Sequence, residues 1–113
     1  MKFTLPFPPS VNSLYGGGSA QKRFPSAKYK AWLKLCPKLA ALGFYSPLKI
    51  IYTFTWPDKR IRDGQNYMKA PLDFLVNQGV LTDDNYNVVI SETWVHSGVD
   101  KLNPKCEIEI ILQ

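Results

Sequence analysis

The sequence predicts an α/β (α+β) fold: one small domain over residues 1–113, in which a mixed β-sheet of about four strands is covered by two main helices. Three observations carry the prediction. A chain of 113 residues can bury one core but not two. Hydrophobic residues make up 45% and aromatic residues 13%, enough apolar surface to fold rather than stay disordered. Segments of alternating and helical periodicity follow one another as strand, helix, strand, helix, strand, strand with no internal repeat, which suits a sheet with helices packed on it.

Lys2 to Phe7 alternates as a short strand, and Pro6-Phe7-Pro8-Pro9-Ser10 stops it because proline cannot donate to a sheet ladder. Val11 to Pro25 reads as a long loop. It contains Gly16-Gly17-Gly18-Ser19 followed by Lys22 and Arg23, and two readings stand: a flexible connector, or a basic arm that reaches for phosphates. Ser26 caps a helix with Tyr29, Trp32, Leu33, Cys36, Leu39 and Ala40 at helical spacing, and Gly43 marks its end. Pro37 lies inside that pattern, where its ring clashes with the Leu33 carbonyl, so a kink or break is expected. Lys28, Lys30, Lys34 and Lys38 form a solvated face on it.

Leu48 to Trp56, rich in Ile, Tyr, Phe and Thr, is a strand closed by Pro57-Asp58. A second helix is expected from about Tyr67 to Gln78, with Pro71 in its first turn and Gly79 after its end. Beyond the acidic turn at Asp83-Asp84, Val88 to Val95 and Cys106 to Leu112 read as two strands joined as a hairpin through Ser97 to Pro104.

The chain carries 14 Lys and Arg against 9 Asp and Glu, a net charge of +5, which favours an anionic partner. No apolar run approaches the roughly 18 to 20 residues that span a bilayer, and the N-terminal segment is too short for a secretory signal, so a cytoplasmic protein is expected. Cys36 and Cys106 lie far apart with no second Cys or His at zinc-finger spacing; two buried, reduced thiols are expected rather than a disulfide or metal site. His96, on a strand with no Cys nearby, reads as structural or surface rather than as a ligand.

The most polar stretch, Pro57 to Lys69, joins the second strand to the second helix, where ligands of open sheets bind beyond the carboxyl ends of strands. Lys59, Arg60 and Arg62 suit phosphates, whereas Asp63 beside them would repel a phosphate unless a cation intervened. Carboxylates set in a basic surface are what metal-dependent phosphodiester hydrolysis requires: acids hold Mg²⁺ and bases hold the backbone. Taken alone, Asp63 could simply cap a helix and Asp84 could be an ordinary turn residue.

At these residues the chain resembles the RusA family of Holliday junction resolvases, the crossover junction endodeoxyribonucleases. Leu5-Pro6-Phe7-Pro8-Pro9-Ser10-Val11-Asn12-Ser13-Leu14-Tyr15 is similar to the family's first strand with its Pro-Pro-Ser-x-Asn element and tyrosine. Pro57 through Lys69 is similar to its Pro-Asp, basic run and Asp-x-Asp-Asn-x-x-Lys. Leu72-Asp73-Phe74-Leu75, Gly79 and Asp83-Asp84 follow in the family's order, so the resemblance covers nearly the whole chain.

The resemblance implies a RusA-like fold, a homodimer, and a catalytic set of Asp63, Asp84, Lys69 and Gln65. In that set Asp63, Asp84 and Gln65 hold Mg²⁺, with Mn²⁺ as a possible substitute, while Lys69 is the active-site lysine and Asn66 supports the ligands from behind. Lys59, Arg60, Arg62, Lys22 and Arg23 would contact DNA. Gln65 departs from the pattern, standing where the family carries its second catalytic aspartate. An amide offers a neutral oxygen but removes one negative charge and cannot act as a base. The resemblance therefore implies an enzyme that makes paired, Mg²⁺-dependent nicks in four-way DNA junctions during recombination and repair. Two alternatives accompany it: a junction-binding protein with weakened or lost nuclease activity because of Gln65, and a basic α/β domain that binds an acidic protein.

Overall fold

The computed structural model describes residues 1–16 and 24–113, and Lys22 and Arg23 lie outside the described residues. The sheet is built around β4 (Leu48–Trp56), the strand with the cleanest alternation. Leu48, Ile50, Tyr52, Phe54 and Trp56 all fall on one face and are all buried. An apolar face this wide needs sheet neighbours on both sides. It has β6 (Lys105–Leu112) antiparallel on one side and β5 (Val89–Val99) parallel on the other. β1 (Lys2–Pro6) pairs antiparallel with the far side of β6, giving the order β1-β6-β4-β5.

This order corrects the expected hairpin between the last two strands. β5 and β6 do not pair, because β4 lies between them. β5 runs parallel to β4, so the chain leaving it must cross the end of β4 to reach β6. The crossing is pinned where Asp100 N donates to Trp56 O at 2.9 Å, and the Asp100 carboxylate accepts from Leu102 N and Asn103 N to make the turn. β5 also continues past Val95 to Val99, because the ladder resumes after a shift that skips Ser97.

Two helices cover the apolar face. α1 (Ala27–Leu35) begins where Ser26 Oγ accepts from Tyr29 N at 3.1 Å. It ends at Leu35, short of the expected Ala40, because Cys36 precedes Pro37 and takes an extended conformation (ψ 141°). Gly43 is therefore not its terminator. With φ +66° it turns a later loop, in which its N–H donates to Gly79 O at 2.8 Å. Tyr29 and Trp32 pack inward, and Trp32 Nε1 donates to Pro6 O at 2.9 Å, fastening the helix to the end of β1.

α2 (Lys69–Asn77) matches the expected helix except that it begins two residues later, because Tyr67 instead closes a separate 3₁₀ turn at Gly64–Tyr67. Pro71 is the third residue of α2, within the first turn, where no N–H is lost from the helix ladder. Ala70, Leu72, Phe74 and Leu75 join the core, and Gly79 (φ +78°) ends the element. Tyr15–Gly16 (β2) and Phe24–Pro25 (β3) form a two-strand ribbon that the sequence did not announce.

Both cysteines are free. Cys106 is buried, Cys36 only half-buried, and burial pushes the Cys36 thiol up to about 12 and the Cys106 thiol higher still, which leaves both unreactive.

Candidate functional site

The basic run leaves the carboxyl end of β4 and turns at once. Asp58 Oδ1 accepts from Arg60 N at 2.9 Å and from Arg62 Nη1 at 2.7 Å, while Oδ2 accepts from Arg62 Nη2 at 3.1 Å. The two-pronged Arg62 bond, with the Arg60 N–H behind it, lowers the Asp58 carboxyl to about 2. Arg62 is drawn inward: its side chain is 6% exposed and its guanidinium lies 5.8 Å from the Phe7 ring centre and 5.9 Å from that of Trp56. The charge of Arg62 is thus spent on Asp58. Lys59 and Arg60 stay exposed and line a 290 Å³ cleft with Ile61, Trp94 and His96. His96 Nδ1 accepts from Trp56 Nε1 at 2.7 Å, a structural role.

Asp63 starts the 3₁₀ turn. Its Oδ1 accepts from Gln65 N at 3.1 Å and its carbonyl accepts from Asn66 N at 3.0 Å, so the capping role open to it in sequence is realised. Gly64 is buried against Trp94 so closely that an added Cβ would lie 2.3 Å from a ring atom. Only glycine lets the turn approach the sheet this nearly. The tight turn leaves Gln65 and Asn66 exposed. Gln65 lines a groove of 510 Å³ between α2 and β5, together with Met68, Lys69, Leu72, Glu92 and Trp94.

Lys69 opens α2, and Asp73, one turn on, accepts its ammonium at 3.1 Å. That bond raises the Lys69 pKa, opposed by partial burial and supported by the negative charges of Asp73 and Asp84. Asp73 and Asp84 in turn line a 190 Å³ hollow with Tyr15, Tyr29, Val76 and Asn77. Lys69 therefore stands between two depressions, with Gln65 on one side and Asp84 on the other. Asp83 is committed to the turn: it accepts from Asp84 N at 2.7 Å and from Asn85 Nδ2 at 3.0 Å, and these bonds lower its pKa.

Glu92 is the residue that sequence reasoning passed over. Partial burial raises its pKa, opposed by the Tyr52 hydroxyl and by Lys69, and the nearby Asp84 raises it further. One signal was available: Glu92 is the only charged residue between Val88 and Val99.

Among the described residues no three Asp, Glu, His or Cys side chains converge into a metal cage. The oxygen donors at hand are the carboxylates of Asp63 and Asp84 and the amide oxygen of Gln65. The structure does not bring these three to one pocket: Gln65 lines the groove between α2 and β5, whereas Asp84 lines the hollow beside Asp73.

Two relatives are 33% identical to the chain over 95 residues, covering 76% of it and 78% of each relative. One is the crossover junction endodeoxyribonuclease RusA of Enterobacteria phage 82, the other the protein of the same name from Shigella sonnei (strain Ss046). No protein-family model matches the chain.

Proposed function

We propose that this chain, which belongs to the RusA family of crossover junction endodeoxyribonucleases, is a Holliday junction resolvase: a homodimeric endodeoxyribonuclease that makes paired, Mg²⁺-dependent nicks in four-way DNA during recombination and repair. The observation that carries this reading is kinship over most of the chain with two proteins of that name, and the grouping of Gln65, Lys69 and Asp84 around α2 supports it.

In this reading Asp63, Asp84 and the Gln65 side-chain oxygen hold Mg²⁺, or Mn²⁺ in its place. When bound, the ion supplies Lewis-acid polarisation of the phosphodiester and activation of the attacking water. Lys69, held in direction by Asp73, presents its ammonium to the charge that develops on the phosphate oxygens. Asn66 steadies the turn that carries Gln65. Lys59 and Arg60 supply phosphate contacts that position the DNA without reading its sequence, joined by Lys22 and Arg23 of the connecting segment. Arg62 serves the same surface indirectly, by holding Asp58 and so shaping the run that presents Lys59 and Arg60. A two-fold dimer offers equal sites to two symmetry-related strands, the geometry paired nicking needs. Among the described residues no helix is long and apolar enough to cross a membrane, and a cytoplasmic location agrees with a DNA substrate.

Gln65 favours a second reading, a junction-binding protein whose nuclease activity is weakened or lost. A labelled four-way junction incubated with the protein, with and without Mg²⁺, and scored for binding and nicking in the same samples, decides between them. Nicking that needs Mg²⁺ supports the resolvase, and binding without nicking supports the second reading. No preference for a four-way junction over linear duplex of equal length overturns both.

A further inference from the structure

We propose that a groove between the proline-rich strip after β1, α1 and the basic run holds an unpaired stretch of a DNA strand, with phosphates on Lys28 and Arg60 and bases against its apolar wall. The inference rests on the DNA-binding side of the reading above and adds the form of DNA that this surface takes. The groove measures 460 Å³. That is the size of a small-ligand site, which admits a base but not a double helix.

Its charge sets it apart. Each of the three other depressions described above has a carboxylate in its wall: Asp58 in the cleft, Glu92 beside Gln65, and Asp73 with Asp84 in the hollow. This groove has none, and its lining carries the exposed Lys28 and Arg60. Arg62 lines it too, but is held by Asp58. The hydroxyl oxygens of Ser10 and Ser13 lie 3.2 Å apart. One hydroxyl hydrogen serves that bond, and the other has no acceptor among the described residues and can turn to a phosphate oxygen. An anion entering here meets donors and no acidic side chain in the wall.

The rest of the lining is apolar and stiff. Leu35 stands 73% exposed on the α1 side, and Phe7 and Tyr67 are half-buried. Trp32 is fixed by the 2.9 Å bond from its Nε1 to Pro6 O, and the prolines of the strip have a locked φ. A surface already rigid loses little freedom when a base settles on it. Cations beside aromatic and apolar faces hold single strands without regard to sequence. A duplex keeps its base faces stacked inside and has nothing to offer such a wall. Tyr67 also closes the turn that carries Gln65, so a strand held here lies beside the turn that leads to Lys69.

The test follows the fluorescence anisotropy of a labelled oligothymidylate added to the full chain in EDTA, with a linear duplex of equal length alongside and nicking of a four-way junction measured separately in Mg²⁺. Leu35→Glu should weaken oligothymidylate binding by about tenfold, the scale of one lost base contact, and duplex binding by much less. Lys28→Glu should weaken it by a similar factor that shrinks as salt rises. Lys30→Glu makes the same charge change on α1 outside the groove and should cost only a small part of that. Lys28, Lys30 and Leu35 are all exposed, and circular dichroism checks that each variant keeps the parent's fold. No oligothymidylate binding by the parent, equal losses in Lys28→Glu and Lys30→Glu, or no loss in Leu35→Glu overturns the inference, even if the parent nicks junctions. If Lys28→Glu and Leu35→Glu lose the oligothymidylate while Lys30→Glu keeps it, yet the parent neither prefers nor nicks a four-way junction, the groove stands and the resolvase reading falls.

Discussion

Gly64 shows how one residue without a side chain places several that have them. Its backbone rests on the Trp94 ring, so Gly64→Ala must push either the turn or the indole, and overpacking of this kind costs about 1 to 3 kcal/mol. Urea unfolding should show that loss, and adding Trp94→Leu to the same chain should recover part of it by vacating the ring's space. Asp58 makes the matching electrostatic prediction. Its folded pKa of about 2 lies below the unfolded value of about 3.9, so its contribution to stability is fully present above roughly pH 5 and disappears as pH falls through 2. Asp58→Asn should therefore melt at a lower temperature than the parent at pH 7, with the gap closing between pH 4 and pH 2. A gap that stays constant over that range would show that the Arg62 pair has no part in it.

At the scale of elements, each helix is short and held by a few identifiable bonds. Ser26 Oγ does two jobs at the start of α1, accepting from Tyr29 N at 3.1 Å and donating to Ser13 O at 2.5 Å. Ser26→Ala should cost about 1 kcal/mol from the cap alone, readable as a shift in the unfolding midpoint without change in its steepness. Pro37 stops the same helix by forcing Cys36 into an extended conformation, while the apolar spacing of Leu39 and Ala40 continues past the stop. The steric rule for the residue before proline therefore outweighs hydrophobic periodicity here. In α2 the balance is reversed, because Pro71 falls in the first turn and needs no ladder bond.

For the whole molecule, the proposed activity sets two quantities. Paired nicking calls for a dimer, so sedimentation equilibrium at micromolar concentration should return twice 12.9 kDa; a mass that remains at one chain, with and without DNA, would rule out the symmetric mechanism. Phosphate contacts make junction affinity depend on salt. For six to ten contacts, the affinity should drop by about 10³ to 10⁵ between 50 and 200 mM salt. The loss should be smaller in a Lys59→Ala, Arg60→Ala variant, because those exposed cations no longer displace counterions, whereas a flat response in the parent would dismiss the basic surface as a DNA contact.

Local chemistry by itself determined the four main sheet strands, the presence of both helices, the caps at Ser26 and Asp63, and the order of blocks that resembles the RusA family. Periodicity, proline and capping rules act over a few residues and are written directly in the chain. Tertiary structure alone decided which strands pair. Inserting β4 between β5 and β6 is a contest over burial among whole strands, and short-range patterns at Ser97 to Pro104 carry no trace of its outcome. The same separation divides the site. Gln65, Lys69 and Asp84 are singled out by the resemblance to the RusA family, and the inward turn of Arg62 is not, since it depends on Phe7 arriving from the other end of the chain. Glu92 lies 27 positions after Gln65 in sequence and comes to line the same groove only because β5 runs parallel to β4 and α2 lies between the two in the chain. Contacts of that kind are set by the register of a sheet, a property no segment holds alone.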